Sequence, residues 1–271
     1  MGKIITIASG KGGVGKTTIT ANVGIALAQK NFKVLLVDAD VAMANLSLLL
    51  GMQASPITLH DVLVGESTVE DAIYEGPSGI NFIPSGLSLE SYRRVDTDRL
   101  EAVIREIAPK YDFILLDAPP GIEKNVMSAL SAADEVLLVT MPTPPSIADV
   151  LKTKIVAQRL GSTPIGIIVN FSMGEKGEIS DNDIMKMLEL PVYGTVPYDP
   201  EVRRSFMQQK VMPVMVRKPT TPAAIAMRKV AAKIAGIKTQ EFLAATGKKR
   251  EGFLSRLFGK FRIGKKKPIE E

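Results

Sequence analysis

Short apolar runs alternate with segments of helical periodicity along almost the whole of this chain. The runs are rich in Ile, Val, Leu and Phe, as expected for strands that are covered on both faces. They lie at residues 3–9, 33–38, 80–84, 112–117, 135–140, 164–170 and 192–197. Because helical patterns separate them, the sequence predicts an α/β fold with a doubly wound, mostly parallel sheet and helices on both faces.

The helical segments place apolar residues three and four positions apart. They lie at residues 17–30, 43–51, 97–108, 122–132, 145–160, 181–189 and 222–236. Ser180 and Asp183 have the spacing of a capping box at the start of the sixth segment. Between the second and third helices, residues 53–79 are interrupted by proline and glycine, and this pattern predicts short helical turns on the surface.

The most specific chemical signal directly follows the first predicted strand. It consists of Gly10, Lys11, Gly12, Gly13, Val14, Gly15, Lys16, Thr17 and Thr18. The glycines let successive backbone N–H groups face one anion, and the helix that follows adds the positive end of its dipole. The pattern G-x-x-x-x-G-K-[ST] directs Lys16 to the β- and γ-phosphates of a nucleotide and Thr17 to Mg²⁺. The alternative is a mobile glycine-rich turn.

The loop reads K-G-G-V-G-K-T-T from Lys11 onward and resembles that of the deviant Walker A, or MinD/ParA, family of ATPases. This resemblance implies a P-loop NTPase fold, with ATP and Mg²⁺ as ligands. In that family the lysine equivalent to Lys11 crosses a dimer interface and touches the partner's ATP. Lys11 therefore implies a homodimer in the ATP state, in which cations lie between two phosphate clusters that would otherwise repel each other. The alternative is a solvated surface lysine.

Carboxylates end two of the predicted strands. Asp117 closes the run at 112–117, and a carboxylate there lies beside the phosphate loop, where it can hold Mg²⁺ through a water. Asp38 ends the run at 33–38, and Asp40 follows two residues later. The resemblance places Asp38 near Mg²⁺ and implies that Asp40 orients or activates the attacking water. Phosphoryl transfer depends on positioning and on neutralising charge, so Lys11, Lys16, Mg²⁺ and one water-directing acid suffice. We expect slow hydrolysis.

The base of the nucleotide is assigned by resemblance alone. The family places its adenine pocket at two strand ends, which correspond here to Asn170 and Pro197. Asn45 and Leu46 match a further family pair, whereas Ala42 departs from the usual glycine. The single histidine, His60, is expected to be a surface or packing residue, because no second His or Cys is present to share a metal.

Composition narrows the function further. The 271 residues contain no cysteine, which excludes disulfides, thiolate metal sites and iron–sulfur clusters. No apolar stretch is long enough to span a membrane, so we expect a soluble, cytoplasmic protein.

The net charge of +5 is unevenly distributed, because residues 247–267 hold nine Lys and Arg residues and Glu251 as their one acid. The rest of the chain is slightly acidic, which makes nucleic acid an improbable partner.

The C-terminal segment is strongly amphipathic. At about 100° per residue, five apolar side chains fall within an arc of roughly 140°. They are Phe253, Leu254, Leu257, Phe258 and Phe261. Basic residues occupy the opposite side, a pattern typical of a helix that lies on anionic lipid. The string G-F-L-S-R-L-F-G also resembles the C-terminal membrane-targeting sequence of the MinD branch. The alternatives are docking on the chain's own core or in a groove of a partner protein.

These features predict an ATPase domain at residues 1–246 and a flexible basic linker with a membrane-targeting helix at 247–271. The protein is expected to dimerise with ATP, to bind the inner face of the cell membrane peripherally and to regulate the placement of cell division or a related spatial cue. An activator or effector protein is expected, although the sequence does not identify it. The alternatives are a ParA-type DNA-partitioning ATPase and a nucleotide-gated scaffold.

Overall fold

The computed structural model describes residues 2–40, 45–52, 55–86, 99–208 and 211–244. Within these ranges the strands form an eight-stranded sheet in the order β3-β4-β2-β5-β1-β6-β7-β8. Every neighbouring pair is parallel except β3 and β4. The strands are β1 (Lys3–Ala8), β2 (Val34–Asp38), β3 (Tyr74–Glu75), β4 (Asn81–Ile83), β5 (Phe113–Asp117), β6 (Glu135–Thr140), β7 (Thr163–Ser172) and β8 (Val192–Pro197).

The strand order fixes where a ligand can bind. Strand β1 lies between β5 and β6, so the loops that follow these strands diverge to opposite sides of the sheet. Ligands of open α/β sheets bind in the crevice that forms at such a point, beyond the carboxyl ends of the strands. The register aligns Asp117 with Ile7 on one side and with Asp38 on the other. The strands therefore bring the phosphate loop and two of the predicted acids to the same edge.

Helices connect the strands and cover both faces of the sheet. They are α1 (Lys16–Ala28), α2 (Leu46–Leu49), α3 (Leu59–Val64), α4 (Leu100–Ile107), α5 (Lys124–Ser131), α6 (Pro144–Arg159), α7 (Asp181–Leu188), α8 (Pro200–Phe206), α9 (Val214–Arg217), α10 (Pro222–Ala235) and α11 (Thr239–Ala244). Ser180 caps α7, because its hydroxyl accepts the Asp183 N–H and donates to the Asp183 carboxylate. In the described ranges no helix has both the length and the apolar character needed to cross a membrane.

Two hydrophobic cores lie on opposite faces of the sheet. Strand β1 contributes Ile4 to one core and Ile5 to the other, as the alternation of side chains along a strand requires. The first core is completed by α3 to α7, and the second by α1, α2, α9, α10 and α11. Phe242 of α11 is 1% exposed and belongs to the second core, so the described chain ends in a docked helix.

The α/β class, the mostly parallel sheet and the helices on both faces are confirmed. The prediction of surface turns over 53–79 is wrong in part, because Leu59, Val62 and Leu63 of α3 are buried in the first core. Strand β3 and the short helices α8, α9 and α11 were not predicted, because elements of so few residues show little hydrophobic periodicity. The predicted helix at 43–51 is seen as α2, with 41–44 outside the described residues. The domain boundary after residue 246 and the C-terminal amphipathic helix also lie outside them.

Candidate active site

The glycine-rich segment joins the end of β1 to the start of α1. Gly13 and Gly15 have φ angles of 77° and 93°, in the left-handed region that glycine adopts without strain. A side chain at Gly15 would also meet the Asn170 amide nitrogen, because a Cβ there would lie 2.3 Å from it. The N-terminus of α1 carries no side-chain cap. Its first backbone N–H groups are thus available to an anion, as the sequence predicts for a phosphate loop.

Lys16 is buried at the base of this loop, with 7% of its surface exposed. Its Nζ donates to Ser9 Oγ at 3.0 Å and to the Lys11 carbonyl oxygen at 3.5 Å. Burial lowers the pKa of Lys16, and the charges of Asp117 and Asp40 oppose part of that shift. The ammonium group is therefore desolvated and close to carboxylates, and a phosphate oxygen would be a strong partner for it.

Asp117 lies at the carboxyl end of β5 and is 2% exposed. Burial raises its pKa to about 6, while a hydrogen bond from Thr17 and the Lys16 charge act in the opposite direction. The Thr20 hydroxyl also donates to Asp117 Oδ1 at 3.0 Å. Thr20 was not predicted as a site residue, although it lies one turn after the predicted magnesium ligand Thr17. Two α1 hydroxyls therefore orient this carboxylate.

Asp38 and Asp40 have different surroundings. Asp38 is fully buried, and its two carboxylate oxygens accept the backbone N–H groups of Asp40 at 3.2 Å and Leu46 at 3.1 Å. Burial, followed by the charge of Asp117, raises the pKa of Asp38 well above its ordinary value. Asp40 is less buried and lines the cavity over the phosphate loop. Asp38 thus shapes the loop that carries Asp40, and its assignment to Mg²⁺ stays a prediction.

A cavity of about 680 Å³ opens over the phosphate loop. Its lining combines loop glycines, polar groups and apolar side chains: Gly12, Gly13, Gly15, Lys16, Thr17, Thr18, Asp40, Asn45, Leu48, Leu49, Ala118, Pro120, Phe171, Phe206 and Val211. The hydroxyl of Thr17 beside Asp117 is a donor set of the kind that Mg²⁺ takes together with nucleotide phosphates. Over the described ranges no three His, Asp or Glu residues form a metal site by themselves. The residues present fit Mg²⁺ held jointly with a nucleotide.

A second cavity of about 240 Å³ adjoins the first and contains both residues that were predicted to hold the base. Asn170 and Pro197 line it, together with Thr18, Ile19, Phe171, Val196, Tyr198, Asp199, Val202, Arg203, Phe206 and Met227. Asn170 Nδ2 donates to the Val14 carbonyl oxygen at 2.8 Å, which leaves its Oδ1 as the acceptor of the amide. An acceptor suits the exocyclic amino group of adenine. Among the other lining residues, α8 supplies Val202, Arg203 and Phe206 and α10 supplies Met227, and both helices lie far along the chain from the phosphate loop.

The remaining predicted residues fall into three groups. Lys11 has an exposed side chain, while its carbonyl oxygen accepts from Ser9 and Lys16 inside the loop. His60 is 2% exposed, in agreement with the expectation of a packing residue. The five apolar residues of the predicted membrane helix, Phe253, Leu254, Leu257, Phe258 and Phe261, lie outside the described residues.

Comparison with known proteins adds independent findings. A family model described as "AAA domain" matches residues 2–154. The chain is 44% identical over 260 residues to an uncharacterized ATP-binding protein of Methanocaldococcus jannaschii, covering 94% of this chain and 97% of that protein. It is 39% identical to the cell division ATPase MinD of Pyrococcus furiosus, with a TM-score of 0.83, covering 87% of this chain and 99% of that one.

A further solved structure holds a nucleotide. The septum site-determining protein MinD of Pyrococcus horikoshii, complexed with Mg-ADP, is 36% identical, with a TM-score of 0.82. The similarity covers 92% of this chain and 100% of that chain. The similarity to these relatives extends well beyond the phosphate loop and includes the strands and helices that surround both cavities.

Proposed function

Because this chain belongs to the MinD/ParA family of deviant Walker A ATPases, we propose that it is a nucleotide switch that binds membranes as an ATP-dependent dimer. It is an ATP hydrolase and uses Mg²⁺. The observation that carries the proposal is the buried Lys16 in an uncapped phosphate loop, combined with the basic amphipathic segment at 247–271. ATP-dependent dimerisation would couple the first feature to the second.

At the phosphate site, Lys16 would bind the β- and γ-phosphate oxygens. Its hydrogen-bond partners within the loop are Ser9 Oγ and the Lys11 carbonyl oxygen, and these neutral groups bind an ammonium more weakly than phosphate does. Thr17 and Asp117 would hold Mg²⁺, which neutralises the charge that develops on the transferred phosphoryl group. The Thr20 hydroxyl keeps the Asp117 carboxylate oriented, because it donates to Oδ1 at 3.0 Å. Two cations and one oriented acid would thus supply the electrostatic part of catalysis.

Asp40 would direct the attacking water. It lines the phosphate cavity, and its backbone N–H is fixed by Asp38, whose carboxylate also holds Leu46 at the start of α2. This arrangement separates a shaping acid from an acid that faces substrate. No further acid or base is assigned to the reaction, so slow turnover is expected, which suits a switch with a long-lived ATP state.

The dimer would form over the phosphate loops. Lys11 supports this proposal, because its side chain is exposed while its main chain is tied into the loop beside Lys16. An exposed cation at this position is placed to meet a second nucleotide across a two-fold axis. Its charge would offset the repulsion between two triphosphates that face each other.

The membrane would be bound by the C-terminal segment. Burying a Leu or Phe side chain contributes about 1.5–3 kcal/mol at most, and the segment must also fold as it binds, so a single copy should bind weakly. Two copies tethered in one dimer bind far more tightly, because the second helix is held at a high effective concentration. ATP would thereby control attachment to the inner face of the cell membrane, and with it the placement of cell division or a related spatial cue.

Co-sedimentation of the full chain with anionic liposomes, in ATP and in ADP, tests this function. We expect strong sedimentation in ATP, weak sedimentation in ADP, and none for a chain truncated after Gly247. If the truncated chain instead binds DNA in a salt-dependent way, the ParA-type alternative is favoured. If phosphate release is negligible both with and without liposomes, the chain acts as a nucleotide-gated scaffold.

A further inference from the structure

Phe171 borders both nucleotide cavities. Thr18, Phe171 and Phe206 line the smaller and the larger cavity alike, so they surround the junction between the two. A nucleotide with its base in one cavity and its phosphates in the other must place its ribose at this junction. We propose that Phe171 is a nucleotide-binding residue whose ring contacts the ribose and sets the spacing between base and phosphates. This inference depends on the ATPase activity of the chain and not on its membrane role.

The backbone of Phe171 is in an unusual conformation. Its φ angle is 57°, in the left-handed region that side chains with a Cβ rarely adopt. Such conformations persist where the surrounding structure enforces them, and they concentrate at functional sites. The ring gives no compensation through the hydrophobic cores, because Phe171 belongs to neither of the two clusters formed by the described residues. A purely packing role therefore does not explain why a phenylalanine is held there.

The neighbours of Phe171 hold the backbone at this position in place. On the preceding side, the Asn170 side chain donates to the Val14 carbonyl oxygen of the phosphate loop at 2.8 Å. On the following side, the Ser172 carbonyl oxygen accepts the Tyr198 N–H at 2.8 Å. The ring packs against the loop, since a Cβ at Gly15 would lie 3.6 Å from Phe171 Cε2. The backbone of Phe171 is thus held between the phosphate loop and the strand end that carries the base cavity, and its ring lies beside Gly15.

This position gives the ring a specific task. The face of a phenyl ring is negative and makes favourable contacts with the C–H groups of a ribose, and the ring excludes water from the junction. Because the ring lies beside the phosphate loop and at the junction of the two cavities, a nucleotide gains this contact only when its base and phosphates are both seated. Phe171 should therefore favour complete nucleotides over fragments that occupy one cavity alone.

The experiment compares two competitive inhibitors of ATP hydrolysis by the full chain with Mg²⁺ and without lipid. ADP spans the junction, whereas pyrophosphate reaches only the phosphate loop. For both Phe171→Ala and Phe171→Gly we expect the inhibition constant of ADP to rise about tenfold, while that of pyrophosphate changes less than about twofold. Phe171→Leu should recover part of the ADP affinity, because it restores apolar bulk at the junction.

The glycine variant separates the ring from the backbone strain. Phe171→Gly removes both, whereas Phe171→Ala removes the ring and keeps a Cβ at positive φ. Asn31→Gly is the matched control, since Asn31 also has a positive φ of 68° but follows the far end of α1; it should change neither constant. The proposal is overturned if ADP affinity is unchanged in both Phe171 variants, if it falls in the alanine variant alone, or if pyrophosphate affinity falls as much as ADP affinity.

Discussion

The phosphate site contains acidic and basic side chains that are buried inside the protein. Asp38 and Asp117 are both buried and occupy paired positions on adjacent strands, and each carboxylate is stabilised by hydrogen bonds to neighbouring N–H or hydroxyl groups. Lys16 is a buried cation whose charge interacts with Asp117 and Asp40. Burying these charges costs free energy, and interactions with a bound ligand can offset that cost. Substituting these residues should therefore affect function more than the stability of the nucleotide-free protein.

Lys16→Gln tests the assignment of the phosphate loop. Removing the cation that faces the β- and γ-phosphates should lower ATP hydrolysis by about a hundred- to a thousandfold and abolish dimerisation with ATP. Thermal unfolding without nucleotide should not shift downward, because the buried ammonium is already desolvated. Lys33→Gln, an exposed change before β2, is the control and should behave as wild type. Undiminished phosphate release by Lys16→Gln would contradict the assignment.

Asp40→Ala tests the division of labour between the two acids after β2. If Asp40 directs the attacking water, the variant should still bind ATP and dimerise, while phosphate release falls about a hundredfold or more. Light scattering after gel filtration in ATP measures the dimer, and a coupled phosphate assay measures turnover. A variant that fails to bind ATP would show that Asp40 is a structural residue or a magnesium ligand, and the roles of Asp38 and Asp40 would have to be exchanged.

At the scale of elements, hydrogen bonds and ion pairs connect α8, α9 and α10 beside the base cavity. The sequence did not predict these contacts. Asp199 accepts the Glu201 N–H in α8 and the Ala223 N–H in α10. Glu201 in turn binds Arg217 of α9, by a contact of 2.7 Å, and Lys218 at 3.0 Å. Since Val202 and Phe206 of α8 line the base cavity, this cluster of charges determines the position of one cavity wall.

The pH dependence of stability tests the Glu201 cluster. Hydrogen bonds from Arg217, Lys218 and Arg204 lower the pKa of Glu201 from 4.5 to about 2. Because the folded-state pKa is lower than the unfolded one, the stabilisation is present above about pH 4.5 and is lost as the pH falls toward 2. Glu201→Gln should therefore be less stable than wild type at pH 6, and the difference should shrink at pH 3.

Urea unfolding midpoints at pH 6, 4 and 3 measure this difference. Glu75→Gln serves as the control, since Glu75 is an exposed residue of β3 at the opposite edge of the sheet. Other carboxylates titrate in both proteins and cancel in the comparison. A difference between Glu201→Gln and wild type that stays constant from pH 6 to pH 3 would show that the carboxylate charge does not hold these helices together.

At the scale of the whole molecule, the proposed function requires communication between the phosphate loop and a segment more than 200 residues away in sequence. Helix α11 is docked by the buried Phe242, and the basic segment follows it in the chain. In the proposed function the segment folds as it binds the membrane, and ATP controls attachment through the number of segments that are held together. Under this proposal, an ATP-bound dimer that brings two copies of the segment together binds the membrane far more tightly than one copy does.

Leu257→Glu tests whether the apolar face of the segment is the anchor. A charge at the centre of that face must be buried in lipid or must prevent insertion, and the penalty counts for both helices of a dimer. Sedimentation with anionic liposomes should therefore collapse in ATP as well as in ADP, while basal ATP binding survives. Ser255→Glu adds the same charge to the polar face, and it should keep clearly more binding than Leu257→Glu at the same salt concentration.

Retention of Leu257→Glu on liposomes in ATP at moderate salt would contradict insertion. The segment would then be an electrostatic tether or a helix for a partner protein, and placement of the chain in the MinD branch would lose its main support from the tail.

The sequence by itself determined the features that depend on neighbouring residues. The phosphate loop could be predicted from Gly10 to Thr18, because the glycine conformations, the lysine and the helix start are all local. The buried strands were equally clear, since strands covered on both faces are apolar throughout. Asp38 and Asp117 were identified because each ends such a strand.

Only the tertiary structure decided which distant residues meet around that loop. Strand pairing set Asp38 beside Asp117, and packing joined Asn170 to Val14 across 156 positions of sequence. The ring of Phe171 and the walls from α8 and α10 were likewise invisible to periodicity, because their role depends on contacts between elements. Local patterns follow from short-range sterics and solvation, whereas the shape of a cavity follows from long-range packing, which no single segment of this chain encodes.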